Sequence, residues 1–501
     1  MVETVLKLIG EKLAFKQKVV KTTLTGNQLV RETGVSASQL PIEADDVQGL
    51  VFRGYGTLRH ATYVFLKFGD PAKACDWLHA LVPQIARGVP AATVNAVQIA
   101  FTPAGFTALG MSEDVLVQFS RTFLEGMVGD HRSRFLGDVG DSAPEKWKWG
   151  GPSTPEVHAV LMLLAKDAAG LAELQSDQKS AWSAAGITAV FTQPAAELSD
   201  TEHFGFADGI SQPSIEGYHP STSDLHLVKA GEFLLGYRNE YGLYTERPRL
   251  PASRDPNGHL PLDVEGSATH DLGRNGTYLA FRQLRQDVPA FRAALDAQSK
   301  NDDGTIDPHA RALLAAQLVG RWPSGAPLLE APYSDDSARA KSNEFRYHHE
   351  DADGMKCPIG AHVRRANPRD ALDPQPGTDR SLQVNRRHRL IRRGRSYGEK
   401  LPEGATDTAD RGLMFVCVNA NLQRQFEFVQ HSWLIDPRFN GMTQQSDPLL
   451  GGVQPENTFE APGNPLRTRC TGIPRFVTVT GGAYFFMPGI RALRFLAELS
   501  S

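Results

Sequence analysis

One pattern recurs along this 501-residue chain, a short run with the two-residue period of a strand leading directly into a run of helical period. His60-Ala-Thr-Tyr63-Val-Phe-Leu-Lys-Phe reads as a strand and passes into a helical pattern over Lys73-Ala-Cys-Asp-Trp-Leu-His-Ala-Leu-Val82. Asn275-Gly-Thr-Tyr278-Leu-Ala-Phe-Arg-Gln-Leu repeats the strand, again before a helix through Val288-Pro-Ala-Phe-Arg-Ala-Ala-Leu295. The same plan appears in Ala96-Val-Gln-Ile-Ala-Phe-Thr with Ala104-Gly-Phe-Thr-Ala-Leu, and in Leu413-Met-Phe-Val-Cys-Val with Leu422-Gln-Arg-Gln-Phe-Glu-Phe. Arg475-Phe-Val-Thr-Val-Thr with Ile490-Arg-Ala-Leu-Arg-Phe-Leu completes the set. Two copies of one α+β unit explain this with the fewest assumptions, and the length, beyond that of a usual single domain, agrees. The expected division is an extension over 1–44, a first subdomain over 45–212, an insertion over 213–274 rich in Gly, Pro, Asp and Ser, and a second subdomain over 275–501. Ser334 to Gly354, with its many charges, is expected as a second surface excursion.

Hydrophobic residues at 41% and charged residues at 22% are ordinary for a globular protein, and 53 basic against 57 acidic residues leave a net charge of −4. That balance gives no general attraction to nucleic acid or anionic membrane. The basic runs Arg386-Arg-His-Arg389 and Arg392-Arg-Gly-Arg395 would suit a phosphate tract, but no aromatic RNA-binding signature accompanies them. Cys75, Cys357, Cys417 and Cys470 form no metal-binding or disulfide pattern and are expected as buried thiols in a reducing compartment. The start, Met1 to Phe15, is amphipathic, but lysines and glutamates interrupt every apolar run before signal-peptide length, and no twin-arginine pair is present. No later stretch has the length needed to cross a bilayer. A cytoplasmic location is the expectation.

Three segments carry chemistry. In Cys357-Pro-Ile-Gly-Ala-His362-Val-Arg-Arg-Ala-Asn-Pro-Arg369-Asp370 an imidazole among small apolar residues precedes fixed positive charge, a pattern suited to ligating a metal or haem iron with arginines on carboxylates. Local chemistry alone leaves a satisfied structural or surface histidine as the alternative. Phe204-Gly-Phe-Ala-Asp208-Gly209 places a carboxylate between glycines that permit a tight backbone. Arg389-Leu-Ile-Arg392-Arg-Gly-Arg-Ser-Tyr-Gly398 is a basic run ending in a turn. Peroxide cleavage needs a group that moves a proton between two oxygens and a cation that stabilises charge on the departing one, roles open to Asp208 and Arg392.

These segments, in this order, resemble the signature of the dye-decolourising peroxidases, a haem family. The resemblance extends from about Asp45 to Leu496 and includes Asp46-Val-Gln-Gly-Leu-Val-Phe-Arg-Gly-Tyr, Arg411-Gly-Leu-Met-Phe-Val-Cys-Val-Asn-Ala-Asn, Gln425-Phe-Glu-Phe-Val-Gln430 and Gly481-Gly-Ala-Tyr-Phe-Phe-Met-Pro488. It implies an α+β fold of two ferredoxin-like subdomains, antiparallel sheets packed together under peripheral helices, of the dimeric α+β barrel type. It implies one haem b per chain, His362 as the proximal iron ligand, Asp208 and Arg392 as the distal pair, and Leu413 and Phe415 as lining of the distal pocket. Hydrogen peroxide and small aromatic or dye-like donors are the implied partners, with no nucleic acid, no membrane span and a homo-oligomer left open.

Supporting roles follow with less constraint. Arg369 is a candidate for a haem propionate, with a surface ion pair as the alternative. Glu427 is a candidate for the acceptor that makes a proximal imidazole more electron-donating, with solvent exposure as the alternative. The tryptophans and tyrosines are candidates, as a class, for carrying electrons from bulky donors, and His348-His349 reads as a charged loop. A haem-handling, iron-releasing protein is the competing function, since it would use His362 without needing Asp208 and Arg392 to act together.

Overall fold

In the computed structural model, which describes residues 41–500 except 221–222, 452–456 and 464–465, the strand–helix repetition becomes one nine-stranded antiparallel sheet. The first copy supplies β1 (His60–Lys67), α1 (Pro71–Leu81), β2 (Asn95–Phe101), α2 (Pro103–Ala108), β3 (Ala159–Ala165), α3 (Ala168–Ala184) and β4 (Thr188–Pro194). The second supplies β5 (Thr277–Gln286), α4 (Val288–Gln298), α5 (Pro308–Val319), α6 (His362–Ala366), β6 (Ile391–Arg392), β7 (Arg395–Tyr397), β8 (Gly412–Asn419), β9 (Val477–Met487) and α7 (Ile490–Leu496). Helix starts are set locally: Asp70 accepts from Lys73 N at 3.0 Å with Pro71 at the first helical position, and Asp287 accepts from Ala290 N at 2.9 Å before Pro289.

The strand order is β6-β8-β5-β9-β2-β3-β1-β4, with β7 also paired to β8. Within the first copy the spatial order is fourth, first, third, second strand. Within the second copy, taking β6 and β7 as one interrupted second strand, the order is again fourth (β9), first (β5), third (β8), second. This is the ferredoxin-like order twice over. The two sheets pack across a shared interior, as expected, and also join edge to edge at β9–β2, where Phe486 faces Phe101. At the far edges, Ala196 N donates to Ser396 O at 2.8 Å, which draws the sheet around toward closure.

Each strand presents alternate side chains to two cores. On one face Val64, Leu66, Ile99, Leu161, Leu163, Tyr278 and Phe486 lie under α1, α3 and α7. On the other, Phe65, Trp149, Phe281 and Phe485 meet in a shared interior, with Phe65 and Trp149 rings stacked at 4.0 Å. Rings of both copies touch there, so neither half is closed without the other.

The body begins before the expected boundary. Ile42 and Ala44 pack on the interior, and the Glu43 carboxylate accepts from Asn275 Nδ2 at 2.7 Å. Residues 1–40, with the amphipathic start and most of the expected 1–44 extension, lie outside the described residues. The 213–274 segment is more than a surface loop, since Phe233, Leu234, Leu235 and Tyr237 are buried against the two cores and Tyr237 Oη donates to Asn275 Oδ1 at 2.6 Å. The helix expected over Leu422–Phe428 forms as wider π-helical turns over Gln423–Glu427 and Val429–Ile435. His348 and His349 lie on a short helix, Tyr347–Asp351, whose amides are capped by Asp370. All four cysteines are buried free thiols, and among the described residues no helix is long and apolar enough to cross a membrane.

Candidate active site

His362 opens α6, a helix of only five residues fixed by the arginines that follow it. Arg364 is buried and donates to Asp351 Oδ2 at 3.0 Å and to Cys357 O at 2.6 Å. Arg365, equally buried, donates to the carbonyls of Gln445, Leu434 and Asp436 at 2.9, 2.9 and 2.7 Å. The positive charge beside His362 is therefore structural. It ties α6 to the segment 434–447, which carries the residue that matters most to the imidazole.

That residue is Asp447. Its Oδ2 lies 2.8 Å from His362 Nδ1, and its Oδ1 accepts from the amides of Leu449 and Leu450 at 3.0 and 2.9 Å. Asn457 Nδ2 braces the same turn by donating to Ser446 O and Asp447 O. Burial alone would push the Asp447 carboxyl up, but the imidazole and the Leu450 amide pull it below the ordinary range. Burial would likewise push His362 down, and the facing carboxylate outweighs it, raising the imidazole. With Nδ1–H donated to a carboxylate, Nε2 carries the lone pair, and no described residue bonds it. An anchored imidazole with a bare second nitrogen is the donor that a haem iron takes.

Asp208 and Arg392 come together from the two copies. Asp208 follows β4 in a turn where Gly205 and Gly209 have φ of 98° and 81°, values that residues with a Cβ rarely adopt. Arg392 lies on the edge strand β6, with its amide donating to Gln212 Oε1 at 3.0 Å. Arg392 Nη1 donates to Asp208 Oδ1 at 2.9 Å. The side chains are 47% and 35% accessible, and that of His362 is 27% accessible, so all three line open space rather than packed core. Arg392 is the largest influence on Asp208 and holds its carboxyl below the usual range against desolvation, with the Gly209 amide and the His362 charge adding to the effect. His362 in turn feels the charges of both Arg392 and Asp208. Three residues far apart in the chain share one electrostatic site.

Leu413 and Phe415 alternate on β8, where Arg392 pairs with Cys417. Opposite residues of an antiparallel pair share a face, as do positions two apart on a strand, so Arg392, Cys417, Phe415 and Leu413 stand on the same face. Both Leu413 and Phe415 are partly buried.

One supporting expectation needs correction, and for the other an alternative falls away. Glu427 does not reach His362: it is fully buried and accepts from Tyr484 Oη at 2.8 Å and Arg132 Nη1 at 2.6 Å, and the carboxylate that faces the imidazole is Asp447. A buried carboxylate on the inner side of a helical turn takes the nearest donors, and these were a tyrosine and an arginine of other elements. Arg369 is no surface ion pair. It is buried over the Phe345 ring at 3.7 Å and committed to Asn343 O, Phe345 O and Asn343 Oδ1 at 2.7, 2.7 and 2.6 Å.

Beside it lies Arg389, 5% exposed, whose guanidinium makes, among the described residues, one hydrogen bond, a long 3.5 Å contact to Ser211 O. Burial, followed by the charges of Arg369, Arg392 and Arg386, pushes the Arg389 guanidinium down to about 9, and burial pushes Arg369 down to about 10. Arg321, bonded only to carbonyl and amide oxygens, completes a buried group in which no arginine has a carboxylate within ion-pair distance among the described residues. Clustered buried cations without counter-charge are costly, and a bound dianion such as the two propionates of haem would neutralise them. The donor set thus fits haem on two independent counts, the bare imidazole nitrogen and the uncompensated arginines. Sequence reasoning missed Asp447, which is 85 positions from His362, and placed Arg389 only within a basic run.

Comparison with known proteins bears on the same point. No family model matches the chain. A dye-decolorizing peroxidase of Exidia glandulosa is 30% identical over 482 residues, covering 90% of this chain and 86% of that protein. The multifunctional dye peroxidase DyP2 of an Amycolatopsis species is 30% identical over 497 residues, covering 93% and 97%. Among solved structures, a dye-decolorizing peroxidase in complex with 2,6-dimethoxyphenol superposes with a TM-score of 0.73 at 26% identity, covering 92% of this chain and all of that one. A bare imidazole nitrogen on a carboxylate-anchored ring, an acid–guanidinium pair within its field and the doubled ferredoxin-like order agree with that likeness along nearly the whole length, and the chain belongs to the dye-decolourising peroxidase family.

Proposed function

We propose that this protein is a haem peroxidase in which His362 Nε2 holds the iron, Asp208 and Arg392 act on hydrogen peroxide, and dyes, phenols or other bulky aromatics supply single electrons. The single observation that carries the assignment is the pairing of a bare, Asp447-anchored imidazole with an Asp208–Arg392 contact of 2.9 Å in one electrostatic site. Haem b, one per chain, would be held by His362 and would supply, when bound, the redox centre for two-electron reduction of peroxide.

The chain's own residues do the rest. Asp208, held ionised by Arg392, would accept the proton from one peroxide oxygen and return it to the other, which leaves as water. Arg392 uses one donor on Asp208 and has others for the charge that grows on that oxygen as the O–O bond breaks. Leu413 and Phe415 keep this side apolar and limit water. Arg389, with Arg321 and Arg369 behind it, receives the propionates, so the carboxylate-binding role expected of Arg369 passes chiefly to its neighbour. Phenols suit the donor role because a structural neighbour binds 2,6-dimethoxyphenol. We further propose two subdomains, 45–212 and 275–501, with residues 42–44 packed onto them, supported by their shared strand order, and a reducing, cytoplasmic setting, supported by four buried free thiols. An iron-releasing protein has no use for the acid–guanidinium pair, so that reading is not favoured.

The test is peroxide-dependent oxidation of 2,6-dimethoxyphenol by haem-loaded protein. Arg392→Leu is expected to retain haem and lose about 100-fold or more in the peroxide step, as when a donor to developing charge is removed. Wild-type rates in that variant would remove Arg392 from the mechanism.

A further inference from the structure

We propose that Glu202 is a positioning residue for proton transfer, its carboxylate acting as the internal anchor of the turn that presents Asp208. The proposal rests on the reading of Asp208 as the distal acid–base group.

The turn is closed by the backbone at its mouth, where Thr201 and Ala207 form an antiparallel bridge and Glu202 N donates to Phe206 O at 3.0 Å. Inside it, the amides of Phe204 and Phe206 point at one side chain: Phe204 N donates to Glu202 Oε2 at 2.9 Å and Phe206 N to Oε1 at 3.0 Å. Gln286 Nε2, on β5 of the other copy, donates to Oε2 at 2.6 Å. No lysine or arginine lies within ion-pair distance of Glu202 among the described residues, so the carboxylate answers only neutral donors. Its place is therefore explained by the backbone it gathers rather than by charge pairing. Both aromatic residues whose amides it holds pack outward, Phe204 against Phe291 at 4.6 Å and Phe206 within the same cluster. The next fixed point is Ala207 N on Pro323 O at 3.0 Å, and Asp208 follows at once, turned toward Arg392.

A carboxylate bonded at both oxygens fixes two amides relative to each other, which a hydroxyl or an apolar side chain of the same size cannot do. Glutamine cannot either, because its NH₂ would face an amide or the Gln286 donor. Loss of the anchor frees the residues just before Asp208, and displacement of a proton-transfer group by about 1 Å is enough to cost roughly 100-fold in rate. Burial, and then the nearby Asp208 charge, raise the Glu202 carboxyl, so the anchor itself weakens as it protonates.

Hydrogen cyanide is a suitable probe for the haem-loaded ferric protein, because its binding delivers a proton to the distal base and leaves cyanide on the iron. Glu202→Gln is expected to leave haem content and the resting Soret band unchanged, to slow cyanide binding tenfold or more with a displaced acid limb, and to speed hydrogen exchange at the Phe204 and Phe206 amides. Glu202→Asp, which keeps the charge, should recover part of the rate. In the double variant Glu202→Gln/Asp208→Asn the rate should match that of Asp208→Asn alone, since the anchor has nothing left to position. A wild-type cyanide profile in Glu202→Gln beside a slowed Asp208→Asn overturns the positioning role alone, and so do fully additive losses. Wild-type behaviour in Asp208→Asn overturns the role of Asp208, and the proposal falls with it. If Glu202→Gln does not fold, Gln286→Leu decides: it removes one donor from the anchor, a smaller shift of the same acid limb is expected, and an unmoved limb refutes the proposal.

Discussion

Replacing Asp447 with asparagine changes one proton's address while keeping the side chain's shape. The two backbone bonds from Leu449 and Leu450, at 3.0 and 2.9 Å, hold the amide oxygen where Oδ1 was, and this leaves the NH₂ facing His362 Nδ1. A ring facing a donor must present a bare Nδ1, which moves its proton to Nε2, the nitrogen proposed to bind iron. Ligation then requires the other tautomer, with Nδ1–H against NH₂ and a charge-assisted bond worth about 1.5–3 kcal/mol lost. The expected result is haem affinity about 10- to 100-fold weaker, the range found when partners of ligating histidines are removed. The apoprotein should fold normally. Haem transfer from each protein to excess apomyoglobin, followed in the Soret region, gives the off-rates. Equal off-rates for Asp447→Asn and wild type would refute the proposed tautomer control, whereas Asp447→Ala should also lower the melting temperature, because it orphans the Leu449 and Leu450 amides.

Two further expectations follow. Arg389→Met removes a buried, uncompensated cation, so the apoprotein should be at least as stable as wild type in chemical denaturation while haem binding weakens about tenfold or more; loss of both would contradict the proposed carboxylate-binding role. His388 is stacked on Phe428 at 4.1 Å, donates Nδ1–H to Arg424 O at 2.6 Å, and burial pushes it down to about 4. Its folded value lies below the unfolded value near 6.5, so the unfolded chain alone binds that proton between about pH 6.5 and 4. Stability from this site is complete above pH 6.5 and falls by up to about 1.4 kcal/mol per pH unit down to pH 4. His388→Phe, which keeps the stack, should flatten that part of the urea-denaturation profile, and an unchanged slope would remove His388 as its source.

The repeat was legible where polar residues punctuate the strand and a capped helix follows, as at His60–Lys67 before Asp70-Pro71. The third strand, Ala159-Val-Leu-Met-Leu-Leu-Ala165, was not, because all seven residues are buried and nothing alternates. Edge-to-edge joining depends on a single facing pair, Phe486 and Phe101, for which periodicity carries no signal. His362, Asp208 and Arg392 stood out because short local motifs frame them, and the fold brings them into one field. Asp447 sits in an ordinary Asp-Pro turn, and only the tertiary fold, through Arg365 and Asn457, carries it to the imidazole. Glu427 shows the converse: its flanking phenylalanines drew attention, yet its partners are Tyr484 and Arg132.

The most direct test of His362 as the iron ligand is a haem titration of apoprotein, wild type and His362→Ala, read in the Soret and by magnetic circular dichroism, with imidazole then added to the variant. The expected result is one haem per wild-type chain with a histidine-ligated spectrum, a weak and altered complex in His362→Ala, and return of the wild-type spectrum when imidazole fills the gap. A His362→Ala protein that binds one haem with wild-type affinity and spectrum would contradict the account.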